Sequence, residues 1–251
     1  MLEETFRKLL TDDAFYEDVA MGGMRHVLKN HTYTQRLAQV VSTIGLPYRV
    51  DHPKVALVAF VRSTEEMNRV VDTFRAQDYE HKHLVVFLDK FEGHLDLYET
   101  YNTEDISTFM LSYLPQYNAL SEIMDGFDWM AYIQTADYYG PSYISDYMLA
   151  TRYAEANILT KEDYFTWNDT LEKVDSDGTY RYVFDATPSR SIMKPDVLRF
   201  YSVREALDVL ATDATLKELA QSGERIFSTD PYQYVKAGSE MPTAVAQEVQ
   251  L

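Results

Sequence analysis

A strand, a capped helix and a second strand follow one another within residues 55–88, and this succession constrains the fold more than any other part of the sequence. Residues 55–61, VALVAFV, form a continuous apolar run rich in β-branched residues, which is typical of a strand covered on both faces in a parallel sheet. Residues 84–88, LVVFL, predict a second strand of this kind. With the helix between them they predict one βαβ unit with a right-handed crossover, and therefore an α/β protein.

The helix between those strands has a clear start and a buried face. Ser63 can cap its first turn, and Glu66 lies three residues later, at capping-box spacing. Apolar side chains then recur at helical intervals at Met67, Val70, Val71 and Phe74. Ligands of such sheets bind beyond the carboxyl ends of the strands. The residues expected at that mouth are Arg62, Ser63, Asp89 and Lys90.

Charge and cysteine content argue against two kinds of site. The 251 residues include 40 acidic and 23 basic side chains, for a net charge of −17. A surface that binds nucleic acid needs clustered Lys and Arg, so we expect no nucleic-acid partner. Because the chain has no cysteine, it has neither a disulfide framework nor a cysteine-ligated zinc site.

The hydropathy pattern predicts neither a membrane span nor a cleaved leader. The longest apolar run, residues 55–61, is far shorter than a bilayer requires. The first residues, MLEETFRKLLTDD, are acidic from the third position and lack the apolar centre of a signal peptide. We therefore expect a cytoplasmic protein without a membrane span.

Periodicity divides the chain into three parts. Residues 1–50 predict a helical extension, residues 51–238 one α/β domain, and residues 239–251 a tail that is loose or bound to a partner. Further strands of the domain are predicted at residues 106–114, 129–133, 180–184 and 190–194. Further helices are predicted at residues 120–124, after Pro141, and at about 203–222, where Gly223 ends the last one.

The segment of residues 129–147, WMAYIQTADYYGPSYISDY, is a strand followed by a turn and a helix. Its turn reads Gln134, Thr135, Ala136, Asp137, Tyr138, Tyr139, Gly140, Pro141. This stretch resembles the metal-binding segment of family 2 glycosyltransferases, in which a strand ends in Asp-x-Asp-Asp, two aromatics, Gly or Asn, and Pro.

Other segments resemble the same family in the same order, especially its bacterial surface-polymer and spore-coat members. Residues 55–90 resemble the opening nucleotide-binding unit, residues 155–167 the piece after the metal strand, and residues 211–235 the Gly-Glu-Asp helix with its following strand. The resemblance covers about residues 54–236. It implies a GT-A-like fold, that is, a mixed, mainly parallel sheet flanked by helices, here with an N-terminal helical extension.

The resemblance implies a metal role that this sequence does not keep. In the family the Asp-x-Asp carboxylates hold Mg²⁺ or Mn²⁺, which neutralises the departing diphosphate. Gln134 and Ala136 are unsuitable ligands, and Asp137 supplies a single carboxylate. We therefore assign no metal ligands and no cofactor, and keep Asp137 as a candidate nucleotide contact.

Two carboxylates match functional positions of the family. Asp213 matches the Asp that acts as general base toward the acceptor hydroxyl, and an exposed helix cap is an equally good interpretation of it. Asp89 matches the residue that accepts from the base N–H of the nucleotide, and a turn-forming Asp after a strand is as good an interpretation.

The remaining candidates concern phosphate and sugar. Arg190 lies in a Thr-Pro-Ser-Arg-Ser stretch that replaces the family's glycine-rich acceptor loop. Without a metal, phosphate could be neutralised by basic side chains, for which the candidates are Arg62, Lys90, Lys161, Arg190 and Lys194. Tyr138 and Tyr139 lie beside the expected pocket and are candidate sugar or base contacts.

These features support two hypotheses. The first is a metal-independent or impaired glycosyltransferase that moves a sugar from a nucleotide sugar to a cell-surface polymer or protein, with Asp213 as base. The second is a non-catalytic GT-A-fold subunit that binds or scaffolds an active glycosyltransferase and pairs with it through helices in residues 1–46. For either hypothesis, the partners left open are a nucleotide sugar, a partner glycosyltransferase and a homo-oligomer.

Overall fold

The structure is a computed structural model that describes residues 2–48, 50, 52–237 and 241–250. Its contacts divide the chain into two compact units, Met1–His52 and Pro53–Gln250.

The first unit consists of three helices, α1 (Leu2–Thr11), α2 (Asp13–Asn30) and α3 (Tyr33–Thr43). The Asp12 side chain caps α2 by accepting from the backbone N–H of Phe15. Thr32 and Gln35 form a capping box at the start of α3. The helices expected in residues 1–46 are present. Among the side chains described in this unit, Met21 is the one buried hydrophobic.

The second unit contains twelve strands among the described residues. They are β1 (Val55–Val61), β2 (Lys82–Leu88), β3 (Ile106–Met110), β4 (Trp129–Tyr132), β5 (Tyr138–Tyr139), β6 (Ile158–Thr160), β7 (Tyr164–Trp167), β8 (Leu171–Val174), β9 (Tyr182–Val183), β10 (Ser191–Met193), β11 (Ile226–Ser228) and β12 (Tyr234–Ala237). Eight form one sheet in the order β3-β2-β1-β4-β10-β6-β11-β9, and four form a smaller sheet in the order β5-β12-β7-β8.

The helices of this unit flank the large sheet or follow it. They are α4 (Thr64–Ala76), α5 (His94–Tyr101), α6 (Leu120–Ile123), α7 (Tyr143–Ala150), α8 (Val203–Ala211), α9 (Lys217–Gln221) and α10 (Thr243–Glu248), with short 3-10 turns at Leu111–Gln116, Pro188–Arg190 and Pro195–Leu198. None of the helices in the described ranges combines the length and apolarity that crossing a bilayer requires.

The large sheet is buried on both faces, as the apolar run of β1 predicts. Strands β3, β2, β1 and β4 are mutually parallel. Alternate residues of β1 enter two different cores: Leu57 packs on the side of α4 and α7, and Val58 on the side of α6 and α8. The predicted βαβ unit of residues 55–88 is therefore confirmed.

Three predicted elements differ from those observed. The strand predicted for residues 106–114 ends at Met110, because a 3-10 turn containing Pro115 follows. The helix predicted for about 203–222 is two helices, α8 and α9, separated where Asp213 adopts a left-handed φ of 50°. The strand predicted for residues 180–184 shortens to β9.

The capping box predicted for α4 forms only in part. Ser63 accepts from the backbone N–H of Glu66, as expected. The Glu66 carboxylate instead accepts from the backbone N–H of Arg62, at 2.7 Å. The bond ties the residue after β1 to the first turn of α4.

The C-terminal segment was expected to lack regular structure, and its described part is instead helical. Helix α10 buries Ala246, and Val249 is fully buried beyond it. The backbone N–H of Gln233 donates to the carbonyl of Val249 at 2.8 Å. Residues 241–250 therefore pack on the second unit rather than hanging free of it.

Candidate functional site

A groove of ≈ 1010 Å³ lies at the carboxyl ends of β1, β2 and β3. Arg62 follows β1 directly, and Asp89 and Lys90 follow β2. Because neighbouring parallel strands end at the same edge of the sheet, these three side chains meet at the groove, where the sequence predicts a ligand site. Three of the four candidate nucleotide contacts are thus brought together.

The polar groups at this mouth are exposed and weakly paired. The Arg62 Nε and an Asp89 carboxylate oxygen are 4.0 Å apart, and both side chains are largely exposed. The backbone N–H of Lys90 donates to the other Asp89 oxygen at 2.7 Å. An exposed ion pair of this kind is worth up to about 1 kcal/mol, so an incoming anion can compete for Arg62 at little cost.

Helix α8 and the segment after β3 form the opposite walls of the groove. The wall residues are Leu111, Tyr113, Tyr117, Asn118, Ser202, Arg204, Leu207 and Asp208. Sequence reasoning did not identify Arg204 as a groove residue. Its position two residues after the α8 cap Ser202 gives no sign of the groove, since β1 and α8 are far apart in the chain.

Asp137 is not among the residues that line this groove. Its carboxylate accepts from the Tyr234 hydroxyl at 2.7 Å and from the backbone N–H of Ala237 at 3.2 Å. Burial raises the pKa of Asp137 to about 6, against these two hydrogen bonds, which favour the ionised form. The structure therefore places Asp137 in a separate buried network and not beside Arg62.

That network links Asp137 to the candidate base Asp213. The Tyr234 hydroxyl lies 3.3 Å from the Ser189 hydroxyl. The Ser189 hydroxyl and backbone N–H donate to the two oxygens of Asp213, at 2.9 and 2.8 Å. Two carboxylates on different loops are thus joined through Tyr234 and Ser189. No local pattern in the sequence predicts this link, because Ser189 is 24 residues from Asp213 and 45 from Tyr234.

Asp213 lies in the loop between α8 and α9 rather than at the start of a helix. Its left-handed φ of 50° is uncommon for a residue with a side chain, although Asp tolerates it better than most. Asp213 occupies the cap position of neither helix, since the cap residues are Thr212 for the end of α8 and Leu216 for the start of α9. What the carboxylate does in this structure is hold the loop that contains Ser189.

The residues at the family's metal position do not fit Mg²⁺ or Mn²⁺. The Gln134 side-chain oxygen accepts from the backbone N–H of Thr135 at 3.2 Å, and Ala136 has no ligand atom. Both oxygens of Asp137 already accept hydrogen bonds. Within the ranges that the structure describes, no three His, Asp or Glu side chains converge as metal ligands would.

Two of the candidate cations are committed to internal contacts. Arg190 donates to the carbonyls of Lys161 and Glu162, at 2.6 and 3.1 Å, and its guanidinium stacks on the Tyr164 ring. Lys161 is fully buried and pairs with Asp230 at 3.1 Å. The prediction that Arg190 contacts substrate is therefore not supported, since its guanidinium braces the chain around Lys161. Lys194 lies over the Trp129 ring.

The two tyrosines predicted to contact sugar or base are also used internally. Tyr139 is buried, and its hydroxyl donates to the Ser189 carbonyl at 2.8 Å while accepting from the backbone N–H of Gln134. The Tyr138 hydroxyl accepts from the side-chain amide of Gln250. The Tyr139 ring belongs to the core around α7, whereas Tyr138 is only partly buried. That one of the two contacts a sugar or a base stays a prediction.

Gln77, the C-cap residue of α4, supports the turn of residues 134–141. Its buried amide donates to the Gly140 carbonyl at 2.9 Å and accepts from the backbone N–H of Ile144 at 3.2 Å. Tyr79 donates to the Pro53 carbonyl at 2.7 Å. Both residues therefore have structural roles.

Comparison with known proteins finds similarity in structure and not in sequence. No family model and no curated protein matches the sequence. S. aureus TarS 1-349 in complex with UDP-GlcNAc aligns with a TM-score of 0.50 and 13% identity, over 75% of this chain and 60% of that one. The complex of TarS 1-349 with UDP gives a TM-score of 0.51 and 13% identity, over 78% and 69%. A further S. aureus TarS structure gives 0.50 and 14%, over 74% of this chain and 37% of that one.

These similarities establish the fold. The chain has a glycosyltransferase-like GT-A fold with a mixed, mainly parallel sheet flanked by helices, which confirms the expected fold class. It spans 60% and 37% of the length of the first two TarS structures to which it is similar.

Proposed function

We propose that the protein binds a nucleoside diphosphate or a nucleotide sugar, without a metal ion, in the groove between the ends of β1–β3 and helix α8. The observation that carries this proposal is the meeting of Arg62, Asp89 and Lys90 at the mouth of that groove. The TarS structures contain UDP and UDP-GlcNAc, so uridine nucleotides are the first ligands to test.

In this proposal Arg62 and Lys90 neutralise the diphosphate. Arg62 can donate two hydrogen bonds to phosphate oxygens, and Lys90 supplies a mobile point charge. Each cation held ~4 Å from a phosphate charge contributes up to ~4 kcal/mol at an effective dielectric constant of ~20. Arg204, across the groove, is a third available cation. Such contacts have to replace the metal, because the chain as a whole carries a charge of −17.

Asp89 supplies base recognition. Once Arg62 turns toward phosphate, the Asp89 oxygen that it faced can accept from the N–H of a uracil-like base. Its other oxygen stays on the backbone N–H of Lys90, which fixes the carboxylate. A base that presents no N–H to Asp89 would bind more weakly, since the carboxylate would be desolvated without a partner.

We further propose that metal-assisted sugar transfer is absent, and that the protein is a nucleotide-binding glycosyltransferase-like subunit. Gln134 and Ala136 supply no charged metal ligand, and the two oxygens of Asp213 accept from Ser189. A second candidate function is metal-independent transfer to a surface polymer or protein acceptor, with Asp213 as base. It is favoured by the two hydroxyls between Asp213 and Asp137. When Asp213 takes up a proton, the Ser189 hydroxyl can turn to donate to the Tyr234 hydroxyl, 3.3 Å away, which donates to Asp137, so a proton has a path inward.

Isothermal titration calorimetry with UDP and UDP-GlcNAc, in EDTA and again in Mn²⁺, tests the binding proposal. We expect similar affinities under both conditions. In Arg62→Ala we expect binding at least about 10-fold weaker, since 10-fold corresponds to about 1.4 kcal/mol, roughly what one charged hydrogen bond contributes. Arg225→Ala is the matched control, because Arg225 is an exposed, ion-paired arginine outside the groove. Binding only with Mn²⁺, or equal losses in both variants, would contradict the proposal.

The chemical proposal has its own test. Release of UDP from UDP-GlcNAc in EDTA should stay at the rate without protein, for the wild type and for Asp213→Asn alike. A protein-dependent rate that disappears in Asp213→Asn, while calorimetry still shows nucleotide binding, would favour the transferase instead.

A further inference from the structure

Helix α3 presents a stripe of apolar side chains that the described parts of the chain leave uncovered. Tyr33, Leu37, Val40 and Ile44 are 93%, 51%, 58% and 65% exposed. They are separated by four, three and four residues, which is the alternation of a coiled-coil seam. The capping box of Thr32 and Gln35 fixes the start of the helix immediately before this stripe.

The unit that contains α3 has almost no interior of its own. Among its described side chains only Met21 is a buried hydrophobic. Outside the stripe, its exposed large hydrophobics are Phe6, Leu10, Tyr16, Val19, Val27, Leu46 and Tyr48. About fifty residues of helix without a core are not expected to be stable alone, and exposed apolar surface of this extent marks an interaction site.

We propose that a second copy of this chain covers the stripe, so that two α3 helices pack against each other in a homodimer. A seam of this period is complementary to another helix with the same period, and an identical helix supplies it. This proposal goes beyond nucleotide binding, because all the residues of the groove belong to the other unit.

The charges of this region favour a second copy over a strongly charged partner. Residues 1–52 contain seven acidic and six basic residues, so they contribute −1 of the net charge of −17. Arg36 is the one charged residue within Tyr33–Thr43. Two such surfaces can meet without the repulsion expected elsewhere between two chains of this charge, whereas a basic or acidic partner would find little opposite charge.

The exposed apolar area of this unit as a whole is of the size that a dimer interface buries. Four residues of the stripe and seven outside it make eleven exposed large hydrophobics in this unit. Together they expose on the order of 1000 Å², at roughly 100 Å² each, against about 800 Å² that each partner buries in a typical interface. The α3 seam would be its centre.

Sedimentation of the full chain as a function of concentration tests the proposal. We expect a species of twice the chain mass of 29.1 kDa, and dissociation at least about 100-fold easier in the double variant Leu37→Glu, Ile44→Glu, because charge is placed in the seam. Phe184→Glu is the matched control: Phe184 is more exposed than Leu37 or Ile44 but lies in the other unit, so its variant should dimerise normally. Circular dichroism establishes that each variant is folded.

Crosslinking gives a second readout that does not depend on a destabilised seam. Because the chain has no cysteine, Leu37→Cys and Val40→Cys introduce single thiols. If the two α3 helices are parallel, oxidation of either variant alone should give covalent dimers. If they are antiparallel, a mixture of the two variants should give them. Phe184→Cys should give none. The proposal would be overturned if the wild type is monomeric at high concentration. It would also be overturned if the seam variants dimerise and crosslink no differently from the Phe184 variants. In either case a different partner would cover the stripe.

Discussion

At the residue scale, hydrogen bonds commit the carboxylates of Asp137 and Asp213 to neighbouring protein groups. The Tyr234 hydroxyl donates to Asp137, and the Ser189 hydroxyl donates to Asp213. Burial and the nearby Asp137 charge hold the pKa of Tyr234 well above its usual value, so its hydroxyl stays a donor to Asp137. Burial also raises the pKa of Asp137, to about 6, which lies in a pH range where folding can be measured.

The pH dependence of stability should therefore report on Asp137. Its pKa rises from an ordinary 3.8 to about 6 on folding, so the folded state binds the proton more tightly. The stability that this gives is fully present below about pH 4 and is lost as the pH rises through about 6; the whole change is about 3 kcal/mol.

Urea unfolding of the wild type and of Asp137→Asn at a series of pH values from about 4 to about 7.5 measures this difference. Taking the difference cancels the other titrating groups, and the wild type should lose about 2–3 kcal/mol relative to the variant as the pH rises. Two unfolding curves that keep a constant separation across the range would show that Asp137 does not titrate there.

The sequence alone distinguished residues of the groove from residues of the core only in part. Arg62, Asp89 and Lys90 could be located because each directly follows a strand of the βαβ unit, and chain position then determines spatial position. Arg190 could not be assigned in this way. Its partners, the carbonyls of Lys161 and Glu162, are 29 and 28 residues away in the chain. The sequence around an arginine that donates to such carbonyls does not differ from the sequence around one that binds phosphate.

At the element scale, the turn of residues 134–141 is held between α4 and the C-terminal segment. Gln77 contacts it from the end of α4, and Gln233 contacts it from the start of β12. Gln233 accepts from the backbone N–H of Ser142 at 3.1 Å and donates to the carbonyl of Gln250 at 2.6 Å. Its amide therefore has little freedom to move.

Gly140→Ala should for this reason be strongly destabilising. A Cβ at this position would lie 2.2 Å from the Gln233 side-chain oxygen, far inside contact distance. We expect a loss of about 1–3 kcal/mol in the free energy of unfolding, the usual cost of overpacking a filled site.

Gly22→Ala is the control for that substitution, because a Cβ there meets nothing within 4 Å inside helix α2. It should be neutral or stabilising by up to about 1 kcal/mol. Chemical denaturation measures both variants, and equal behaviour of the two would show that the contact with Gln233 is not restrictive.

Strands and helices were predictable where the spacing of apolar residues and the length of the segment indicated the same element. Strands β1 and β2 and helix α4 combine continuous apolar or helical spacing with a cap at Ser63. The break between α8 and α9 was missed because residues 211–215, ATDAT, contain neither Gly nor Pro. The loop is set by distant contacts instead: Asp213 accepts from Ser189, and the backbone N–H of Leu216 donates to the Ala186 carbonyl at 2.9 Å.

At the scale of the whole molecule, net charge opposes compactness. A formal charge of −17 on 251 residues produces self-repulsion, which dissolved salt screens. The internal ion pair of Lys161 and Asp230 is shielded from salt by burial, so salt should act mainly on the surface.

The melting temperature should consequently rise as NaCl is increased from about 20 mM to about 300 mM, since the Debye length falls from about 20 Å to below 8 Å over this range. Differential scanning fluorimetry at pH 7.5 measures the shift. An equal osmolality of a neutral solute separates screening from general solvent effects. A melting temperature that falls with salt would mean that favourable surface ion pairs outweigh the repulsion.

Strand β9, at one of the two edges of the large sheet, is only two residues long, and this limits how another chain can pair with that edge. A strand from another molecule would find too few unpaired backbone N–H and C=O groups there to extend the eight-stranded sheet. The short strand therefore disfavours edge-to-edge aggregation at this edge, even though β9 contains no proline or lysine.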